Sequence, residues 1–352
     1  MLLNIQTLRA IAALLVVVVH LEGFGAAWGL DDRLFAPFAA GVDLFFVISG
    51  FIMVHTTAGG KTSPGLFLLN RAIRIVPLYW MLTLLVFAVA LAMPGLLGTT
   101  QADGDALARS LAFIPYERVD GTMRPLLFVG WSLNLEMGFY VLFALTLVVP
   151  RAGMRVGLAV GLLSMAVVSG HLLRAHIAPE LRFLSQPMVL DFAGGMLIGW
   201  LYPHLSTSRT AAKVAAACSI PALVMLVLMA RWPLEGGWPV SLPPACALVI
   251  AALVAEKGGL AITWRPVLAI GDASYALYLT HPFVTQGLAI GTARAGLLAP
   301  HTAPMLMVLA VAVACICAIA VHERVERPLG RRLRHVLAPR STMQPLRVDF
   351  SR

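Results

Sequence analysis

The chain has 352 residues, of which 59% are hydrophobic and only 12% charged, with a mean hydropathy of +0.86. Soluble globular proteins carry about 25% charged residues, and half that share leaves too few polar faces to clothe a large soluble helical core. The net charge of +9 is read as inner-side loop charge against an anionic lipid surface, not as a footprint for nucleic acid.

Ten apolar runs between polar or proline breaks predict membrane helices over about 8–27, 36–56, 77–97, 128–149, 155–171, 187–203, 211–230, 240–255, 267–290 and 303–322. A full span takes roughly 20 apolar residues, so the runs at 155–171 and 240–255 are short for one. The first run is not read as a cleaved signal peptide, because a histidine and Glu22 sit at its end and nine more runs follow. With the N-terminus inside, 18 of the 26 Lys and Arg fall on the inner side and 8 on the outer. The basic C-terminal tail supplies much of that bias. The expected fold is therefore all-α: a polytopic membrane helical bundle of about ten transmembrane helices with both termini cytoplasmic. Cys218, Cys246, Cys315 and Cys317 lie in apolar runs and read as packing residues, with no disulfide frame and no metal site expected. The Gly157/Gly161, Gly195/Gly199 and Gly287/Gly291 spacings predict close helix packing.

Charged side chains at the bilayer centre cost roughly 2.5–3.5 kcal/mol each, so the intramembrane ionisable residues are informative. They are Arg9, His20, Asp43, Glu136, Asp191, Asp272 and His281. The first run, "LRAIAALLVVVVHLEGF", holds Arg9 and His20 eleven residues apart. On a helix that spacing leaves an angular offset of about 20° and an axial separation of about 16 Å. Both side chains share one face, which points to a lined cavity. The second run, "GVDLFFVISGF", is interrupted by Asp43 and the Ser49-Gly50 pair.

Before the third run, "RAIRIVPLYW" puts Arg71 and Arg74 three apart on one face, and Pro77 is expected to open the membrane part of the helix. These arginines suit phosphate, and Tyr79 and Trp80 suit stacking on an aromatic ring. Inner-side charge with an interfacial aromatic belt explains the same four residues. In the fourth run, Ser132, Glu136 and Tyr140 form one polar stripe. In the ninth, "GDASYALYLTHP" puts Ser274, Tyr278 and His281 on one face beside Tyr275, with a kink expected at Pro282. The loop over 98–127 is external and the longest.

In this order the motifs "LRAIAALLVVVVHLEGF", "GVDLFFVISGF", "RAIRIVPLYW", "VGWSLNLEMGFY", "GDASYALYLTHP" and "VERPLG" resemble the acyltransferase-3 family of membrane O-acyltransferases, and most the exopolysaccharide acetyltransferases of bacteria. The resemblance covers about 4–334, so residues 1–334 are expected to be the membrane domain and 335–352 a basic cytoplasmic tail. It implies transfer of an acetyl or other short acyl group from acetyl-CoA to a hydroxyl of a cell-surface carbohydrate or its lipid-linked precursor. The setting is the bacterial inner membrane, among lipids and other polysaccharide-assembly proteins. It also implies that Arg9 and His20 are essential, that Arg71 and Arg74 meet the donor, and that Glu136 belongs to the site.

A neutral imidazole at His20 can take the acceptor's proton or carry the acyl group itself. Glu136 is expected to orient it. His281 is the rival base, and Asp43, Ser49, Tyr140, Tyr275 and Tyr278 are substrate-side or structural polar groups. A proton-coupled transporter or flippase of glycan intermediates is the alternative class.

Overall fold

A computed structural model describes residues 2–60, 62–98, 100–230 and 240–337. Lys61, Arg231 and the tail beyond Leu337 lie outside the described residues. The described chain is helical: α1 (Leu3–Val19), α2 (Glu22–Trp28), α3 (Ala40–Thr57), α4 (Pro64–Ala92), α5 (Gly104–Leu111), α6 (Trp131–Thr146), α7 (Ala152–Leu172), α8 (Pro179–Leu184), α9 (Leu190–Leu201), α10 (Arg209–Ala230), α11 (Leu242–Lys257), α12 (Arg265–Asp272), α13 (Ser274–Arg294), α14 (Ala303–Val321) and α15 (Arg327–Leu337).

Helix α1 runs through the middle, wrapped by α3, α11, α12 and α13. Its first turn is anchored by the Glu256 carboxylate, which accepts from the backbone N–H of Leu3 (2.9 Å) and Asn4 (2.8 Å). An anion there satisfies orphan donors and meets the positive end of the helix dipole. The expected single span over 8–27 is instead broken: α1 ends at Val19, and α2 departs at 53°. His20 therefore caps α1 at the break.

Among the described residues, six helical segments are long and apolar enough to cross a membrane, or seven with the bent α1–α2 pair counted as one. Three of the ten expected spans do not reach that standard. Helix α9 has 12 residues and α11 has 16, rises of about 18 and 24 Å against a hydrocarbon core of about 30 Å. Helix α13 is long enough at 21 residues, but Ser274, Thr280, His281 and Thr285 make its buried face polar. The expectation for Pro77 also fails. Helix α4 is continuous from Pro64, capped by Ser63, whose Oγ accepts from Leu66 N, and Pro77 lies in its interior.

The glycine spacings divide. A Cβ on Gly195 would stand 2.0 Å from the Val47 carbonyl oxygen, and one on Gly199 2.8 Å from Val54 Cβ. One on Gly50 would stand 2.1 Å from the Phe192 carbonyl oxygen. Helices α3 and α9 thus cross backbone to backbone, as small residues permit. Among the described residues, nothing lies within 4 Å of a Cβ built on Gly157, Gly161, Gly287 or Gly291, so no helix packs on them there.

Candidate active site

Arg9 is buried on α1 and tied to two other polar side chains. It donates to Gln6 Oε1 (3.1 Å) and to Ser274 Oγ (2.8 Å) on α13. Gln6 in turn donates to Asp272. Arg9 also lines an inner cavity with Arg71, Arg74, Ser49, Glu136 and Tyr140. The cavity spans about 690 Å³ with its mouth, and Phe45, Phe46, Ile48, Ile52 and Met53 form apolar wall.

Arg71 and Arg74 reach this cavity from one face of α4. The Arg71 guanidinium lies over the rings of Phe67 (5.5 Å) and Tyr140 (5.8 Å). Its Nε is buried and has no hydrogen-bond partner among the described residues. A buried, unpaired cationic donor at a cavity wall suits an anionic ligand. Glu136 accepts from Ser49 Oγ (3.1 Å) and from the Tyr140 hydroxyl. Tyr275 donates to the Ile75 carbonyl (2.7 Å), tying α13 to α4.

His20 belongs to the other end of α1. Its Nδ1 lies 2.9 Å from the Val16 carbonyl oxygen and 3.1 Å from His281 Nε2. The His281 Nδ1 lies 3.0 Å from the Leu277 carbonyl oxygen, and the residue is wholly buried. A carbonyl only accepts, so Nδ1 carries the proton on each ring. His281 Nε2 is then the lone pair that receives the His20 Nδ1–H. Neutral His20 keeps its own lone pair on Nε2, a free nucleophilic or basic nitrogen. The group bonded to His20 is therefore His281, while Glu136 is bonded to Ser49 and Tyr140 on the inner cavity.

His20 lines a second, outer groove of about 1980 Å³ with its mouth. Arg118, Arg124, Arg294, Glu22, Asp120 and Phe128 also line it, with the outer part of α13. The Phe128 ring centre is 5.3 Å from that of His20. Tyr278 lines the first cavity. Its hydroxyl donates to the Val129 carbonyl (2.8 Å) and accepts from Ser132 Oγ (2.7 Å), and its ring centre is 6.3 Å from that of His281.

Three expected site residues stand elsewhere. Tyr79 is buried and stacked on Phe113 at 4.7 Å, and Trp80 donates its indole N–H to the Leu111 carbonyl (2.8 Å). Both are absent from the inner cavity's lining because their rings already have partners. Asp43 is buried and accepts from Ser241 Oγ (2.7 Å), with fully buried Asp191 beside it. Sequence reasoning missed Gln6 and Phe128 near the site. It counted Arg118, Arg124 and Arg294 only as outer charge.

A family model described as "Acyltransferase domain" matches residues 2–322. The exopolysaccharide production protein ExoZ of Rhizobium meliloti (strain 1021) is 36% identical over 299 residues, covering 84% of this chain and 90% of that protein. YrhL of Bacillus subtilis (strain 168), whose name assigns it provisionally as a peptidoglycan O-acetyltransferase, is 26% identical over 314 residues, 79% of this chain and 48% of that protein. The chain thus spans about half of YrhL. Protein 2 in the picA locus of Rhizobium radiobacter is 40% identical over 76 residues, 20% of this chain and 37% of that protein. No solved structure matches. With the match running from residue 2 to 322, the chain belongs to the acyltransferase-3 family of membrane O-acyltransferases and is an acyltransferase.

Proposed function

We propose that the protein moves an acetyl group from acetyl-CoA to a hydroxyl of a cell-surface carbohydrate, an exopolysaccharide or its lipid-linked precursor, in the bacterial inner membrane. One observation carries the reading. Arg9 and His20, on one helix, are both tied to α13, at Ser274 and His281, and each opens on its own cavity. The Arg9 side suits the donor: Arg71 and Arg74 meet CoA phosphates, and the apolar wall takes the thin pantetheine arm. That side then faces the cytosol, with both termini. The His20 side takes the acceptor. The exopolysaccharide role named for ExoZ supports a glycan acceptor for this chain.

His20 is the acyl carrier in this account. Its Nε2 attacks the thioester carbonyl, an N–C bond forms, and the C–S bond breaks with CoA leaving as thiolate. The acylated ring is cationic. The Nδ1–H bond to His281 Nε2 and the Val16 carbonyl stabilises that charge. The acceptor oxygen then attacks the acyl carbon and Nε2 leaves with the hydroxyl proton, which the ring gives up to solvent in the groove, while the CoA thiolate takes a proton from solvent on its own side. For this step the thioester must pass from the arginine cavity beyond Tyr278 to reach His20 Nε2, and the acetyl group is then released on the side where His20 lines the groove.

The test is acetyl content. Mass spectrometry of surface glycan from cells with and without the gene, and radiolabelled acetyl-CoA added to membranes, will show acetyl moving to glycan. Unchanged glycan acetylation in both assays would refute the reading.

A further inference from the structure

The Gly287/Gly291 pair has the spacing of a helix-packing motif, yet none of the described residues lies within 4 Å of a Cβ built at either position. Both glycines, four residues apart on α13, line the outer groove that contains His20. They leave a strip of α13 without side chains in the groove that His20 lines. Arg294 lies one turn beyond Gly291, and Arg118 and Arg124 come from the segment before α6. Arg118 donates to Thr100 Oγ1 (2.7 Å). None of the ion pairs seen among the described residues involves Arg118, Arg124 or Arg294. Glu22 and Asp120 share the groove, so arginines outnumber carboxylates there three to two.

We propose that this groove is the acceptor site and that it selects a glycan bearing a negative charge, a carboxylate or a phosphate. The sugar lies along the bare strip at Gly287 and Gly291, with its hydroxyl at His20 and its anionic group on the arginines. Phe128, Phe283, Gln286, Glu22 and Asp120 in the groove suit a sugar's ring and neutral hydroxyls, and the three arginines add guanidinium forks that fit carboxylate and phosphate oxygens two at a time. The carboxylate would belong to a uronic acid. The phosphate would belong to the diphosphate of a lipid carrier, which the apolar flank of Val86, Val89 and Ile290 could hold at the membrane surface. This rests on the proposed acetyl transfer and deepens it.

The test uses the full chain in nanodiscs with acetyl-CoA and three acceptors: a uronate-containing oligosaccharide, its carboxyl-reduced neutral form, and a neutral oligosaccharide on a prenyl diphosphate. At least one anionic probe will show a KM about 10-fold or more below the neutral form, as one charge-assisted hydrogen bond supplies. Preference for the uronate assigns the charge to the sugar, and preference for the diphosphate assigns it to the carrier. Arg124→Gln and Arg294→Gln will erase the preference. Gly287→Leu and Gly291→Leu, whose Cβ meets no atom of the described residues within 4 Å, will raise the acceptor KM while the melting temperature and acetyl-CoA affinity stay unchanged. Equal handling of charged and neutral acceptors, or a preference that survives both arginine variants, would overturn the proposal. Binding of the probes without acetyl-CoA separates the two readings. Arginine-dependent binding with no acetyl transfer keeps the groove and sinks the catalytic assignment, and transfer without charge preference does the reverse.

Discussion

His20 Nδ1 lies 3.1 Å from His281 Nε2, and the second ring is locked by its own bond to the Leu277 carbonyl. Burial leaves His281 no water to bond instead. The pair therefore fixes one tautomer of His20, with the lone pair on Nε2, and gives the ring a partner for positive charge. We therefore propose His281 as a residue that positions His20, in place of its reading as the rival base.

His281→Ala will lower kcat by roughly 10⁴-fold, the scale of losing the partner that orients a catalytic histidine, while KM for acetyl-CoA stays near its original value. His281→Gln will recover part of the loss, because an amide oxygen can accept from His20 Nδ1–H. Steady-state kinetics of the three proteins check this. Equal loss in the Ala and Gln variants would reduce His281 to packing.

His20→Ala will abolish glycan acetylation, a fall of roughly 10³-fold or more, and leave the protein inserted in the membrane. Membrane yield and labelled-glycan counts together separate lost chemistry from lost folding.

The double variant Arg71→Gln with Arg74→Gln will raise the acetyl-CoA KM by roughly 10–100-fold, as expected when charge-assisted contacts to phosphate are removed. The acceptor KM will move little, since these arginines line the inner cavity and not the His20 groove. An unchanged donor KM would return both residues to inner-side topology charges.

Gly195→Leu will cost stability where Gly287→Leu will not. A Cβ at 195 would lie 2.0 Å from the Val47 carbonyl, a backbone atom that cannot step aside, and the same atom at 287 meets open space. Overpacking of this kind costs about 1–3 kcal/mol or more, read as a lower melting temperature in detergent.

Much of this site was legible in the sequence because intramembrane charge is rare and helical phase is rigid. The eleven-residue spacing put Arg9 and His20 on one face, and both do bond to one helix, α13. Phase could not say which helix faces them, so the partner of His20 was sought in Glu136 and not in His281. The break between α1 and α2 was not read from the sequence, although His20, Glu22 and Gly23 interrupt the apolar run where the chain bends. Glycine spacing alone could not tell Gly195, pressed on a neighbouring backbone, from Gly287, which faces empty space. For Tyr79, an aromatic residue next to two arginines carried no sign that Phe113 would return to cover it.

The central claim is that the acetyl group passes through His20. The purified protein in nanodiscs, mixed with radiolabelled acetyl-CoA in the absence of acceptor and quenched rapidly, tests it most directly. The account predicts label on the peptide carrying His20, none in His20→Ala, and discharge of that label on adding acceptor. Glycan acetylated through full turnover by a protein that never carries label, or label that persists in His20→Ala, would contradict it.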